Sequence, residues 1–123
     1  MSEAAFPVFE KNTPPVGVEL KSPAVNIADL DGRLRLFLAT LGLVHLHLFN
    51  APAVVTSGKD SVHVESSKHG QGKAVDLRVS DLREGWQQTF LLVVCTLCDR
   101  YGLTVFDERN LPGGPHFHVE VAG

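Results

Sequence analysis

Apolar and polar positions alternate with two different periods along this chain, and the changes of period mark out its elements. Leu30, Leu34, Phe37, Leu38 and Leu41 recur at spacings of three and four, which predicts a helix capped by Asn26 or Asp29 and ending near Gly42. Val44-His45-Leu46-His47-Leu48 then alternates strictly and reads as a short strand or extended connection with half-exposed histidines. Ala53-Val54-Val55-Thr56-Ser57 is a short β-branched run closed by Gly58, as expected of a buried strand. A polar loop from Gly58 to Gly72 precedes a second strand over Lys73 to Val79. Ser80 or Asp81 offers a cap for a helix from about Leu82 to Tyr101, with Gly102 as its stop. Leu103 to Phe106 and His116 to Val121 read as two further strands, joined by a loop closed by Pro112-Gly113-Gly114-Pro115. Residues 1–25 hold four of the seven prolines and are expected to form an irregular arm. This order predicts an α+β fold: a small, mainly antiparallel sheet with helices packed on one side.

Bulk properties narrow the picture only where they exclude something. A chain of 123 residues supports one domain with a real core. A net charge of -3 with scattered Lys and Arg gives no footprint for nucleic acid. The sequence contains neither an apolar run long enough to span a bilayer nor a start resembling a secretion signal, so synthesis in the cytoplasm is expected. Cys95 and Cys98 form a Cys-x-x-Cys pair, a spacing shared by redox and zinc sites. Their apolar surroundings favour two small buried residues one turn apart on a helix.

The chemistry concentrates in two distant segments, Ser67-Lys68-His69-Gly70-Gln71-Gly72-Lys73-Ala74-Val75-Asp76 and Pro115-His116-Phe117-His118-Val119-Glu120. On the final strand His116, His118 and Glu120 share one face and Phe117, Val119 and Val121 the other. Asp76 likewise projects opposite to Val75 and Leu77, and Gly70 and Gly72 permit a tight return from His69. Imidazoles and one carboxylate suit a zinc ion, with a fourth position left for water, whereas magnesium or calcium would call for more oxygen ligands.

Ser67-x-His69-x-x-Gly72-x-Ala74-x-Asp76 resembles the motif of the zinc D-Ala-D-Ala carboxypeptidases. That family includes vancomycin-resistance dipeptidases, bacteriophage endolysins and the zinc domain of hedgehog proteins. Thr56-Ser57-Gly58 is similar to the family's exit from its first core strand, and His116 to Glu120 to its closing strand, so the likeness covers roughly residues 53–121. The resemblance implies a hedgehog/DD-peptidase-like fold and one zinc ion held by His69, Asp76 and His118. It also implies a metallopeptidase acting next to a D-amino acid in peptidoglycan peptides, as a carboxypeptidase or an endolysin-like enzyme. Many relatives carry a glutamate three residues before the last ligand, where this chain has Pro115; others carry a histidine two residues before it, here His116. His116 is therefore the expected catalytic group, with Glu120, Glu108 and Asp107 as candidate carboxylate partners. In place of the family's substrate-binding arginine stand Lys59 and His63, either able to hold a peptide carboxylate or to remain a solvated loop residue. Ser67 hydrogen-bonds near the site or shapes the turn. A phage origin would place the protein on the cell wall after release, targeted by the domain itself or by an assembly partner. The alternative expectation is a non-catalytic, zinc-stabilised recognition domain.

Overall fold

A computed structural model describes residues 6–59 and 67–122. In chain order the elements are β1 (Val18–Leu20), α1 (Gly32–Phe49), β2 (Ala53–Ser57), β3 (Ala74–Arg78), α2 (Glu84–Tyr101), β4 (Leu103–Asp107) and β5 (His116–Val121). They form a five-stranded mixed sheet in the order β1-β2-β3-β5-β4, with two helices packed against it. β1 pairs parallel with β2, and every other pairing is antiparallel. The fold is α+β, as the sequence pattern predicts.

Alternation decides which side of the sheet the helices cover. Val75, Leu77, Phe117, Val119 and Val121 are buried on one face, while Asp76, Arg78, His116, His118 and Glu120 are half-buried on the other. On the covered side Phe90 of α2 stacks on Phe117 with ring centroids 5.4 Å apart, and Phe37 of α1 is fully buried in the same core. Burying side chains of this size contributes about 1.5–3 kcal/mol each. The opposite face carries the polar side chains of both strands.

Three expectations of local structure need correction. α1 does not stop at Gly42 but runs to Phe49, capped by Asp31, whose carboxylate accepts the Arg33 N–H at 2.9 Å, and closed by Asn50 in the left-handed region at φ 53°. Val44 to Leu48 is therefore helix. The buried positions Leu38, Leu41, His45 and Phe49 keep helical spacing, but a histidine takes an inward position while Leu43, Leu46 and Leu48 face outward. His45 is satisfied there by the Ala51 carbonyl, 2.6 Å from Nδ1, and by edge-on contacts with Phe49 and Phe90; His47 is exposed. Burial lowers the His45 pKa, which suits a neutral ring in this setting.

The second correction concerns the arm, because Val18–Leu20 is the edge strand β1 rather than irregular chain. Gly17 and Gly42 make that docking close: a Cβ on Gly42 would overlap the Val16 carbonyl, and one on Gly17 the Gly42 carbonyl. Arg35 ties the arm down further by donating to the carbonyls of Pro7 and Leu30. Third, α2 begins at Glu84 after Arg83, without a side-chain cap, and not at Leu82 after Ser80 or Asp81. Asp81 instead lies 3.5 Å from Arg78. Its far end is as expected, with Gly102 at φ 70°. The two cysteines are both free thiols on this helix; Cys98 is buried, but Cys95 is exposed. Burial pushes the Cys98 thiol up to about 12, which leaves it a packing residue and not a thiolate ligand.

Candidate metal centre

The polar face of the sheet carries the centre, and strand register assembles most of it. β3 and β5 pair so that Asp76 lies opposite His118 and Arg78 opposite His116. His118 Nδ1 is 2.9 Å from Asp76 Oδ1, and its Nε2 is 2.8 Å from Glu120 Oε1. His69 arrives from the turn before β3. Its Nε2 is 3.3 Å from Asp76 Oδ2, and its Nδ1 is 3.0 Å from the Gly58 carbonyl. The rings of His69 and His118 are 5.1 Å apart between centroids. One ligand atom from each of His69, Asp76 and His118 can be chosen so that all three lie within 4.8 Å of one another. His118 is 42 positions from Asp76 along the chain, and the fold brings it to one point with Asp76 and His69.

Local structure fixes each approach. The Ser67 hydroxyl accepts the Gly70 N–H at 3.0 Å, which closes the turn carrying His69. Gly72 stands at φ +72°, and a Cβ there would come within 2.6 Å of the Asp29 carbonyl oxygen. Its own carbonyl accepts the Asp31 N–H at 2.8 Å, so the turn is bolted to the start of α1. On β2 the register slips between Val55, opposite Leu77, and Ser57, opposite Asp76. This irregularity lets both residues serve the correct face: Val55 is fully buried, and the Ser57 hydroxyl reaches within 3.3 Å of His69 Nδ1.

A second group of side chains adjoins the first through Asp76. Glu108 continues the β4 line opposite His116, donating its backbone N–H to the His116 carbonyl at 3.0 Å. Its carboxylate lies 2.8 Å from His116 Nε2, while His116 Nδ1 is 2.8 Å from the Gly114 carbonyl. Asp76, Glu108 and His116 also offer one ligand atom each within 4.8 Å of one another. Asp107, one residue earlier on β4, is held by Arg109 at 2.6 Å. Strand alternation thus separates two adjacent acids, one to the centre and one to a surface ion pair.

The electrostatics follow from this crowding. Burial alone would raise the Asp76 pKa, but the hydrogen bonds and charges of His118 and His69 override it and hold the carboxyl well below the usual range. Burial works against charge on His69 and His118, yet Asp76 raises both, helped by Gly58 for the first and Glu120 for the second. His116 is raised despite burial by its bonds to Gly114 and Glu108 and by the charge of Asp76. The named neighbours of each ring are oxygen acceptors, so each imidazole is satisfied as an imidazolium. A metal ion can replace the proton on a nitrogen that faces Asp76. For His118 this leaves Nε2–H donating to Glu120, and for His69 it leaves Nδ1–H donating to Gly58, the outer contacts that orient metal-bound histidines. Two imidazoles and a carboxylate fit a first-row divalent ion.

Of the other residues singled out by the sequence, Lys59 is exposed, with its backbone N–H bonded to Asn26 and its stem near Gly72. His63 lies outside the described residues. Lys21 and Arg78 border the centre without having been singled out, and Ser57 does so after being noted only as part of a strand exit. Period-two counting on β3 puts Arg78 on the face of Asp76, but Lys21 directly follows β1, a strand hidden in a proline-rich segment. Compared with models of known protein families the chain matches none, and it matches no curated protein.

Proposed function

We propose that the protein is a zinc metallopeptidase that hydrolyses an amide next to a D-amino acid in peptidoglycan peptides, reached at the cell wall after release. The observation that carries this reading is the pair of side-chain groups joined at Asp76: a His69–Asp76–His118 ligand set beside a Glu108–His116 pair. When bound, zinc supplies a Lewis acid that lowers the pKa of water toward neutrality and polarises the scissile carbonyl. The chain supplies the proton handling. Hydrolysis forms a carbon–oxygen bond from water, breaks the carbon–nitrogen bond, and leaves a proton to be carried to the departing amine.

Glu108 is the group placed to take the proton from water, since its carboxylate stands beside Asp76 and is held in position by His116. It provides in space what Pro115 lacks in sequence. His116, with hydrogen-bond acceptors at both ring nitrogens, acts as a donor: it steadies developing negative charge or protonates the amine. Glu120 orients His118 and is not the base.

The test is digestion of defined muropeptides by zinc-loaded protein, read by mass spectrometry. A discrete product is expected, and Glu108→Gln should retain zinc while losing about 10²–10⁴-fold in turnover. The second reading, a zinc-stabilised recognition domain, rests on Pro115 at the position of the family's glutamate. Full zinc content with no product from any muropeptide would favour it.

A further inference from the structure

Glu108 and His116 are built from metal-binding atoms as much as from proton-handling ones. With Asp76 they offer one ligand atom each within 4.8 Å of one another, and all three side chains are half-buried. Their backbones are fixed: Asp76 and His116 lie on the neighbouring strands β3 and β5, and the Glu108 N–H donates to the His116 carbonyl at 3.0 Å. His116 Nδ1 faces the Gly114 carbonyl at 2.8 Å, which turns Nε2 toward Glu108. That is the outer contact that orients a metal-bound histidine.

The distances suit an ion. Two bonds of about 2.0–2.1 Å at a tetrahedral angle set neighbouring ligand atoms about 3.3 Å apart, so the 2.8 Å between His116 Nε2 and Glu108 Oε1 must open by about 0.5 Å. The 2.9 Å between His118 Nδ1 and Asp76 Oδ1 in the first group needs a similar opening. Torsions of the Glu108 side chain supply it without moving a strand. A cleft of about 480 Å³ bordered by Asp76 and His116 gives the ion a way in.

The two ligand sets differ in kind. His69, Asp76 and His118 bring two imidazoles and one carboxylate; Asp76, Glu108 and His116 bring one imidazole and two carboxylates. Zinc favours the nitrogen-richer set, which fills first. A second ion then meets the charge of the first across Asp76, and Arg78 opposite His116 adds to the repulsion, although Asp81 lies 3.5 Å from it. The charge of Glu108 offsets part of this, so the second set is the weaker one.

We propose that Asp76, Glu108 and His116 form a second, weaker divalent-metal site sharing Asp76 with the first, and that excess zinc shuts the reaction off by filling it. An ion there occupies the Glu108 carboxylate and the His116 ring nitrogen, so neither can take or give a proton. The shut-off rests on the hydrolase reading above; the binding of the second ion does not.

Metal-free full chain titrated with zinc by equilibrium dialysis tests this, with bound metal counted per chain. Two ions are expected, the second at least about tenfold weaker than the first. Glu108→Gln and His116→Ala should each keep the first ion and weaken the second by more than about 100-fold, beyond the loss of an outer contact. Glu108→Gln alone decides the matter if His116→Ala folds poorly, since it keeps the shape of the side chain. One ion at saturation, or a second ion that survives the substitutions undiminished, overturns the site. Muropeptide turnover should peak near one ion per chain and fall at least about 100-fold at two. Full turnover with both ions bound overturns the shut-off. Two ions bound with no turnover at any loading leaves the second site standing and removes the hydrolase; turnover with a single ion and no second one does the reverse.

Discussion

Asp76 is the residue on which the centre turns, because its two oxygens face two different histidines at 2.9 and 3.3 Å. Asp76→Asn keeps the shape but turns one acceptor into a donor and removes the negative charge. Zinc affinity should fall by more than about 100-fold, beyond what loss of an outer-shell partner costs. Glu120→Gln touches only the outer contact of His118, so its expected loss is about 10–100-fold, and competition with a chromophoric chelator ranks the two. A His118→Ala variant that kept full zinc would defeat the ligand assignment. At this scale the sequence was most readable: His69, Asp76 and His118 could be named from spacing and resemblance. Glu108 was only one of three candidate acids. Choosing it requires the β4–β5 register, which puts Glu108 opposite His116 and sends Asp107 to Arg109.

Among the elements, α1 shows where pattern reading fails and why. Strict alternation of leucine and histidine satisfied the strand template, yet tertiary packing placed the leucines outside and one histidine inside the helix. Gly42, taken for a stop, is a helical contact point against Val16 and Val18. Intrinsic propensity favours Gly42→Ala by about 1 kcal/mol. Close approach of the arm argues the other way, and overpacking costs about 1–3 kcal/mol. Net destabilisation is expected in urea unfolding; a stabilised variant would show that the arm gives way easily. β1 was equally illegible, since three residues among prolines carry little period-two signal.

For the molecule as a whole, the layering of helices behind one face and polar chemistry on the other was legible, because hydrophobic alternation on β3 and β5 dictates it. Its pH behaviour follows from the centre. His69, His116 and His118 have folded pKa values raised above the ordinary 6.5, so without metal their contribution to stability is full below about 6.5 and lost as pH rises through the raised values. Asp76 is depressed, so its contribution is present above its ordinary 3.8 and lost as pH falls toward the lowered value. These four groups together favour the metal-free fold most between those limits, while His45, lowered by burial, acts in the opposite sense below the ordinary histidine value. Zinc competes with the imidazole protons, and the gain in Tm on adding it should grow as pH rises through the raised histidine values. Thermal scans across pH, with zinc and with chelator, check this; a gain that shrinks with rising pH would remove histidine from the ligand set.

The parallel strand contributed by the arm has a consequence for how the protein would age in solution. Proteolytic nicking ahead of α1 would strip away β1 and leave the backbone of Ala53–Ser57 without its neighbour along three paired positions. An uncovered run of alanine and valine at a sheet margin is a template for strand exchange between molecules. Clipped samples should scatter light before they lose helical signal, and they would part with Lys21 at the same stroke.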